Sequence, residues 1–67
     1  MKINISSVRK ISGTKDVQKV SNKNKYGDVI TYYVVKITGS SKPFVMSRFE
    51  RIGCDTTIIS NGFIVIP

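Results

Sequence analysis

Lys23, Lys25 and Tyr26 fall together in the stretch Ser-Asn-Lys-Asn-Lys-Tyr-Gly-Asp, and Tyr32, Tyr33 and Lys36 follow soon after. Cations interleaved with aromatic rings are what a single-stranded nucleic acid engages, the cations taking phosphates and the ring faces taking bases. Arg48 and Arg51 form a second cluster around Phe49. On a helical turn they share one side, and the planar guanidinium fork suits phosphates or the carboxylates of an acidic partner. Each pattern also has a plainer origin: Tyr33 as core, Tyr26 as a turn cap, the lysines as solvated charge, the arginines as partners of a helix C-terminus. Among the tyrosines, Tyr32 shares a strand face with Lys36 and is the expected stacking platform.

The same inventory argues against catalysis. The chain has no His, which removes Ser-His and Cys-His pairs and any His-based metal site. Its only carboxylates, Asp16, Asp28, Glu50 and Asp55, each stand next to or near a base and read as solvated surface charges. Cys54 is expected to be a small buried residue, and the neighbouring Asp55 raises a thiol pKa instead of lowering it. No glycine-rich loop is present to cradle a phosphate. The expectation is a protein that is not an enzyme and holds no metal or cofactor.

The elements that position these residues read mainly as strands. Ala, Leu, Trp and His are absent, while Ile occurs 10 times and Val eight. β-Branched side chains pack well on a pleated sheet and lose rotamer freedom in a helix. Residues 2–11 read as a strand with Ile3 and Ile5 on one face and a bulge near Ser6-Ser7 that brings Val8 and Ile11 into register. Ser12-Gly13-Thr14 marks a turn. Val17 and Val20 with Lys15 and Lys19 make a polar edge strand guarded by lysines. Residues 21–28 form a loop, and residues 29–38 the central strand, with apolar residues on both faces. In residues 43–53, Phe44 and Met46 alternate as in a strand. Val45, Phe49 and Ile52 keep helical spacing instead, with Ser41 as a cap and Gly53 just beyond. The expectation there is a short strand running into a helical turn at residues 47–52. Asn61-Gly62 between β-branched runs signals a closing hairpin, because both residues tolerate positive φ.

The sum is an all-β (mainly β) single small basic domain over residues 1–67: a small antiparallel five- to six-stranded barrel or curled sheet, OB- or SH3-like, with at most one short helical turn. At 67 residues such a chain buries only about 60% of its unfolded surface, so a flat binding face is easier to build than a supported reaction centre. Lys and Arg number 11 against four acids, for a formal charge of +7, which makes a nucleic acid, an acidic protein or an anionic membrane the natural partner classes. The single Cys permits no internal disulfide. Neither a signal peptide nor a membrane span is legible, so the chain is expected to be complete, soluble and cytoplasmic, without a membrane partner. Abundant Lys, Ile and Asn are what an AT-rich genome encodes, as in many phages.

Lys23-Asn24-Lys25-Tyr26-Gly27-Asp28 leading into a Tyr-containing strand, then Lys42-Pro43-Phe44-Val45, loosely resembles the DNA-binding wing and following strand of filamentous-phage single-stranded-DNA-binding proteins. That likeness covers about a third of the chain and does not extend to its end. The resemblance implies a small OB-like dimer coating single strands through lysine, arginine and tyrosine.

Two functional expectations follow. The first is a nucleic-acid-binding protein, favouring single-stranded DNA or RNA with low sequence specificity, phage- or mobile-element-like, possible as a homodimer. Phosphate contacts would come from Lys23, Lys25, Lys36, Arg48 and Arg51, and stacking from Tyr26 and Tyr32. The alternative is a small phage-type inhibitor or adaptor that docks on an acidic surface of a host protein, or adds its polar edge strand at residues 14–20 to a partner's sheet.

Overall fold

The computed structural model describes residues 3–67, and the proposed strand position of Lys2 lies outside them. The chain is mainly β: a four-stranded antiparallel open sheet with two short helices packed on one face. The order of elements is α1 (Ile5–Ser12), β1 (Val17–Lys23), β2 (Val29–Lys36), α2 (Lys42–Arg51), β3 (Asp55–Ile59) and β4 (Gly62–Ile66). Spatially the strands run β1-β2-β4-β3. The expected barrel of five or six strands is therefore corrected to an open sheet with two free edges, β1 and β3.

Two expected strands are helices. In α1, Ile5, Val8 and Ile11 keep a helical stripe, and Val8 is fully buried against the sheet. Asn4 caps the start, its side chain accepting the Ser7 N–H at 2.8 Å, and Gly13 closes the end at φ 75° with its N–H donating to the Arg9 carbonyl. Such caps contribute about 1 kcal/mol each and outweigh the modest helix penalty of Ile, Val and Ser. No bulge exists at Ser6-Ser7, because those residues lie inside the first turn of the helix. In α2, helix replaces the anticipated strand at Phe44 and Met46. Pro43 sits in the first turn, where its missing N–H costs nothing. Val45, Met46 and Phe49 face the core. Ser41 occupies the cap position with no side-chain hydrogen bond, so that expected cap is a backbone one, the Ser41 carbonyl accepting from Val45 N–H at 3.1 Å.

The core lies between helices and sheet. Val17 of β1, Tyr33 and Val35 of β2, and Phe63 and Val65 of β4 project to the helix side. They meet Val8, Val45, Met46, Phe49 and Cys54. Phe49 and Phe63, both fully buried, pack edge to face with centroids 5.8 Å apart. The Tyr33 hydroxyl donates to the Ile3 carbonyl at 3.1 Å and ties down the segment leading into α1. No helix among the described residues is long and apolar enough to cross a membrane.

The closing hairpin forms, but its turn is Ser60-Asn61, one residue earlier than expected, and neither residue has positive φ. Gly62 is the first residue of β4, opposite Lys36 of β2. A Cβ there would stand 1.9 Å from the Val35 carbonyl oxygen. The glycine thus lets two backbones close up, and is not there for its turn conformation.

Candidate functional site

The β1–β2 hairpin is the most exposed element. β1 pairs with β2 along its whole length, from Val17↔Val35 to Lys23↔Val29, whereas β4 pairs with β2 only over Tyr33–Lys36. Beyond Tyr32 the hairpin is a two-stranded arm with no third strand beside it. Its tip is held by Asn24: the side-chain oxygen accepts from Tyr26 N–H at 2.9 Å and Asp28 N–H at 3.0 Å, and the backbone N–H donates to Asp28 O. Gly27, at φ 86°, completes the turn. Lys25 and Tyr26 are thereby turned outward. Tyr26 is 78% exposed, and the Lys25 ammonium sits 5.2 Å from its ring centroid.

Alternation then sorts the remaining strand residues between two faces. Lys19 lies opposite Tyr33 and Lys23 opposite Val29, so both stand on the helix side of the sheet. There they join Arg9 and Lys10 of α1 and Arg51 of α2, all exposed. Glu50, the helix layer's one acid, accepts a hydrogen bond from the Thr56 hydroxyl at 2.9 Å. Tyr32 and Lys36 instead occupy the opposite, uncovered face, Tyr32 half-buried between Val20 and Val34 and Lys36 exposed.

The seven residues expected to bind are therefore divided among three places. Lys23, Lys25 and Tyr26 come together on the arm. Arg48 and Arg51 lie in the helix layer. Tyr32 and Lys36 share the open face with each other, as their spacing implied, but not with the rest. Arg48 is moreover engaged, donating from its guanidinium to the carbonyl of Ile11 at 3.2 Å. It neutralises the C-terminal end of α1, a different helix from the one that carries it. Sequence reasoning missed Lys19, Arg9 and Lys10. The last two were concealed by reading α1 as a strand, although Asn4, Gly13 and the Ile5-Val8-Ile11 spacing were signals for it. Lys42, also basic, holds the β3–β4 turn, its ammonium 3.3 Å from Ile59 O and 3.4 Å from Gly62 O.

Cys54 is buried, and burial pushes its thiol above the ordinary value of 9.0, with the Asp55 carboxylate adding to the rise. This favours the inert protonated thiol. Among the described residues no pocket opens on the surface, and no three His, Cys, Asp or Glu side chains gather as a metal site would require.

The architecture is an open-faced sheet with a two-helix layer and a projecting basic arm. Compared with known families, characterised proteins and solved structures, the chain matches none. The stretch likened to a phage DNA-binding wing is a real hairpin tip, but the following Lys42-Pro43-Phe44-Val45 opens a helix where that family was expected to have a strand.

Proposed function

We propose that this protein is a non-catalytic, cytoplasmic binder of nucleic acid that grips phosphates with its arm and helix layer. The observation that carries the reading is the segregation of charge. Lys19, Lys23, Lys25, Arg9, Lys10 and Arg51 are exposed on the arm and the helix side, six cations against two acids there, Asp28 at the arm's tip and Glu50 of the helix layer, which already accepts a hydrogen bond. A cationic surface of this kind follows a polyphosphate backbone with little regard to sequence. Tyr26 at the tip offers an uncovered ring to an unpaired base, worth about 1–3 kcal/mol by stacking. Of the initial set, Lys23, Lys25, Tyr26 and Arg51 are kept as contacts. Tyr32 and Lys36 face the other way, and Arg48 serves the α1 terminus.

Fluorescence anisotropy with labelled single-stranded DNA, duplex DNA and RNA tests this. Six phosphate contacts predict that affinity falls by about a thousandfold between 50 and 200 mM salt. The double variant Lys23→Gln, Lys25→Gln is expected to flatten that salt slope by roughly 1–2 units. Binding indifferent to salt, or an unchanged slope in the double variant, refutes the reading. The adaptor reading predicts a stoichiometric host protein retained after nuclease digestion of a pull-down. The free β1 edge, available for addition to a partner's sheet, is the feature that favours it.

A further inference from the structure

The helices cover one face of the sheet and leave the other bare. On the bare face, by alternation from the buried residues, stand Val20 of β1, Ile30, Tyr32 and Val34 of β2, Ile64 and Ile66 of β4, and Ile59 of β3, with the polar Gln18, Asn22 and Thr57 confined to the two edge strands. Ile30 is 45% and Ile66 38% exposed, high for isoleucine on a strand. Antiparallel sheets with one solvated face carry polar residues there, and contiguous apolar patches of this kind mark interaction surfaces.

We propose that this face pairs with the same face of a second copy in an isologous dimer. Two observations select a second copy. First, the face lacks the charge found elsewhere: Lys36 is its one strand cation, Asp55 its one strand anion, and Asp16 sits on the rim, its carbonyl accepting the Lys36 N–H at 2.9 Å. Two copies of a chain of charge +7 meet here with least repulsion, whereas a polyanion has no reason to approach. Second, the two strand charges are self-complementary. Lys36 lies on β2 opposite Gly62, two residues from Ile64 toward the turn, and Asp55 lies on β3 opposite Ile66, two residues the other way. β2 and β3 flank β4, so the charges are diagonal about Ile64. A two-fold axis lying in the interface through Ile64, at right angles to the Lys36–Asp55 diagonal, sets each Lys36 over the Asp55 of the other copy.

From ordinary strand spacing and rise, that axis crosses the strands of the two copies at roughly 70°, within the orthogonal mode of sheet packing. Ile64 meets its own copy at the centre. Two such faces remove on the order of 1,000 Å² from water, the lower bound for a specific interface, so a weak dimer is expected. The surfaces proposed to hold nucleic acid remain outside the contact, so this inference stands independently of that reading.

Sedimentation velocity from about 5 to 500 μM, in buffer without nucleic acid, measures the association. The wild-type chain is expected to pass from monomer to dimer over this range, and Ile64→Lys to remain monomeric with unchanged circular dichroism. Charge exchange supplies a test that does not depend on the core of the patch. Lys36→Asp and Asp55→Lys each juxtapose like charges and are expected to weaken the dimer at least about tenfold, and the double exchange to restore it. A wild-type chain that is monomeric at 500 μM overturns the proposal, as does a dimer indifferent to Ile64→Lys. Failure of the double exchange to rescue overturns it equally. So does a monomer that associates through this face with phosphatidylcholine vesicles or another protein.

Discussion

Gly62→Ala is expected to be the most damaging methyl that can be added to this chain. The new Cβ would lie 1.9 Å from the Val35 carbonyl oxygen, 2.9 Å from its carbon and 3.0 Å from Lys36 Cα. Carbon and carbonyl oxygen ordinarily approach no closer than about 3.3 Å, so β4 must retreat from β2 by more than about 1 Å. These strands are joined over four residue pairs, of which Lys36↔Gly62 is one. Losing the hydrogen bonding at that end costs about 1–2 kcal/mol and the overpacking about 1–3 kcal/mol more. The total is about 2–5 kcal/mol, against a stability of about 3–10 kcal/mol for a domain of this length. A fall in Tm of about 10–40 °C follows. Gly13→Ala is the control: it forces Ala into the left-handed region at φ 75° but meets nothing within 4 Å, for about 1–2 kcal/mol. Thermal and urea unfolding followed by circular dichroism rank the two. If Gly62→Ala lies within 1 kcal/mol of the wild type, or is no worse than Gly13→Ala, the close-approach argument is wrong.

Asn4→Ala removes the side-chain acceptor for Ser7 N–H and is expected to cost about 1 kcal/mol in urea unfolding, while Asn4→Ser retains most of it. Because burial raises the Cys54 thiol pKa above 9.0 in the folded state, the neutral thiol's contribution is fully present below pH 9.0 and is lost as pH rises through the folded value. Cys54→Val is therefore expected to show a smaller alkaline loss of stability than the wild type, measured by unfolding between pH 7 and 11. The thiol should also resist a disulfide reagent at neutral pH until the protein unfolds.

The parts of the fold that were legible are those with a local signal. The lysine-guarded edge strand, the central strand and the final hairpin were placed by alternation and by turn residues, although β1 runs on to Lys23 where a loop was expected from residue 21, and the hairpin turns one residue early. The helices were hidden by composition, since an Ile- and Val-rich chain favours strands on average. In α1 and α2 that preference is overridden by the caps at Asn4 and Gly13, by Pro43, and by burial of Val8 and Phe49. Openness of the sheet had no local signal at all. β2 is apolar on both faces, Tyr33 and Val35 on one and Tyr32 and Val34 on the other. That pattern fits a closed barrel as well as a sheet covered on one side. The division of the candidate site has the same origin: alternation fixes that Tyr32 and Lys36 share a face, but the choice of face belongs to the helices. Gly62 was recognised for the wrong reason, because a turn glycine and a close-approach glycine are identical in sequence.

The arm has an energetic consequence of its own. A two-stranded ribbon without a third strand is barely stable in water, so the segment beyond Tyr32 lies at the low end of the molecule's opening free energies while Tyr33 and Val35 lie at the high end. Backbone amides of Asn22, Asn24 and Ile30 should then exchange with deuterium through small local openings, long before those shared by β2 and β4. Whatever engages Lys25 and Tyr26 must still this fluctuation as it binds. Its affinity is reduced by that ordering, and its arrival is reported first by slowed exchange along the ribbon.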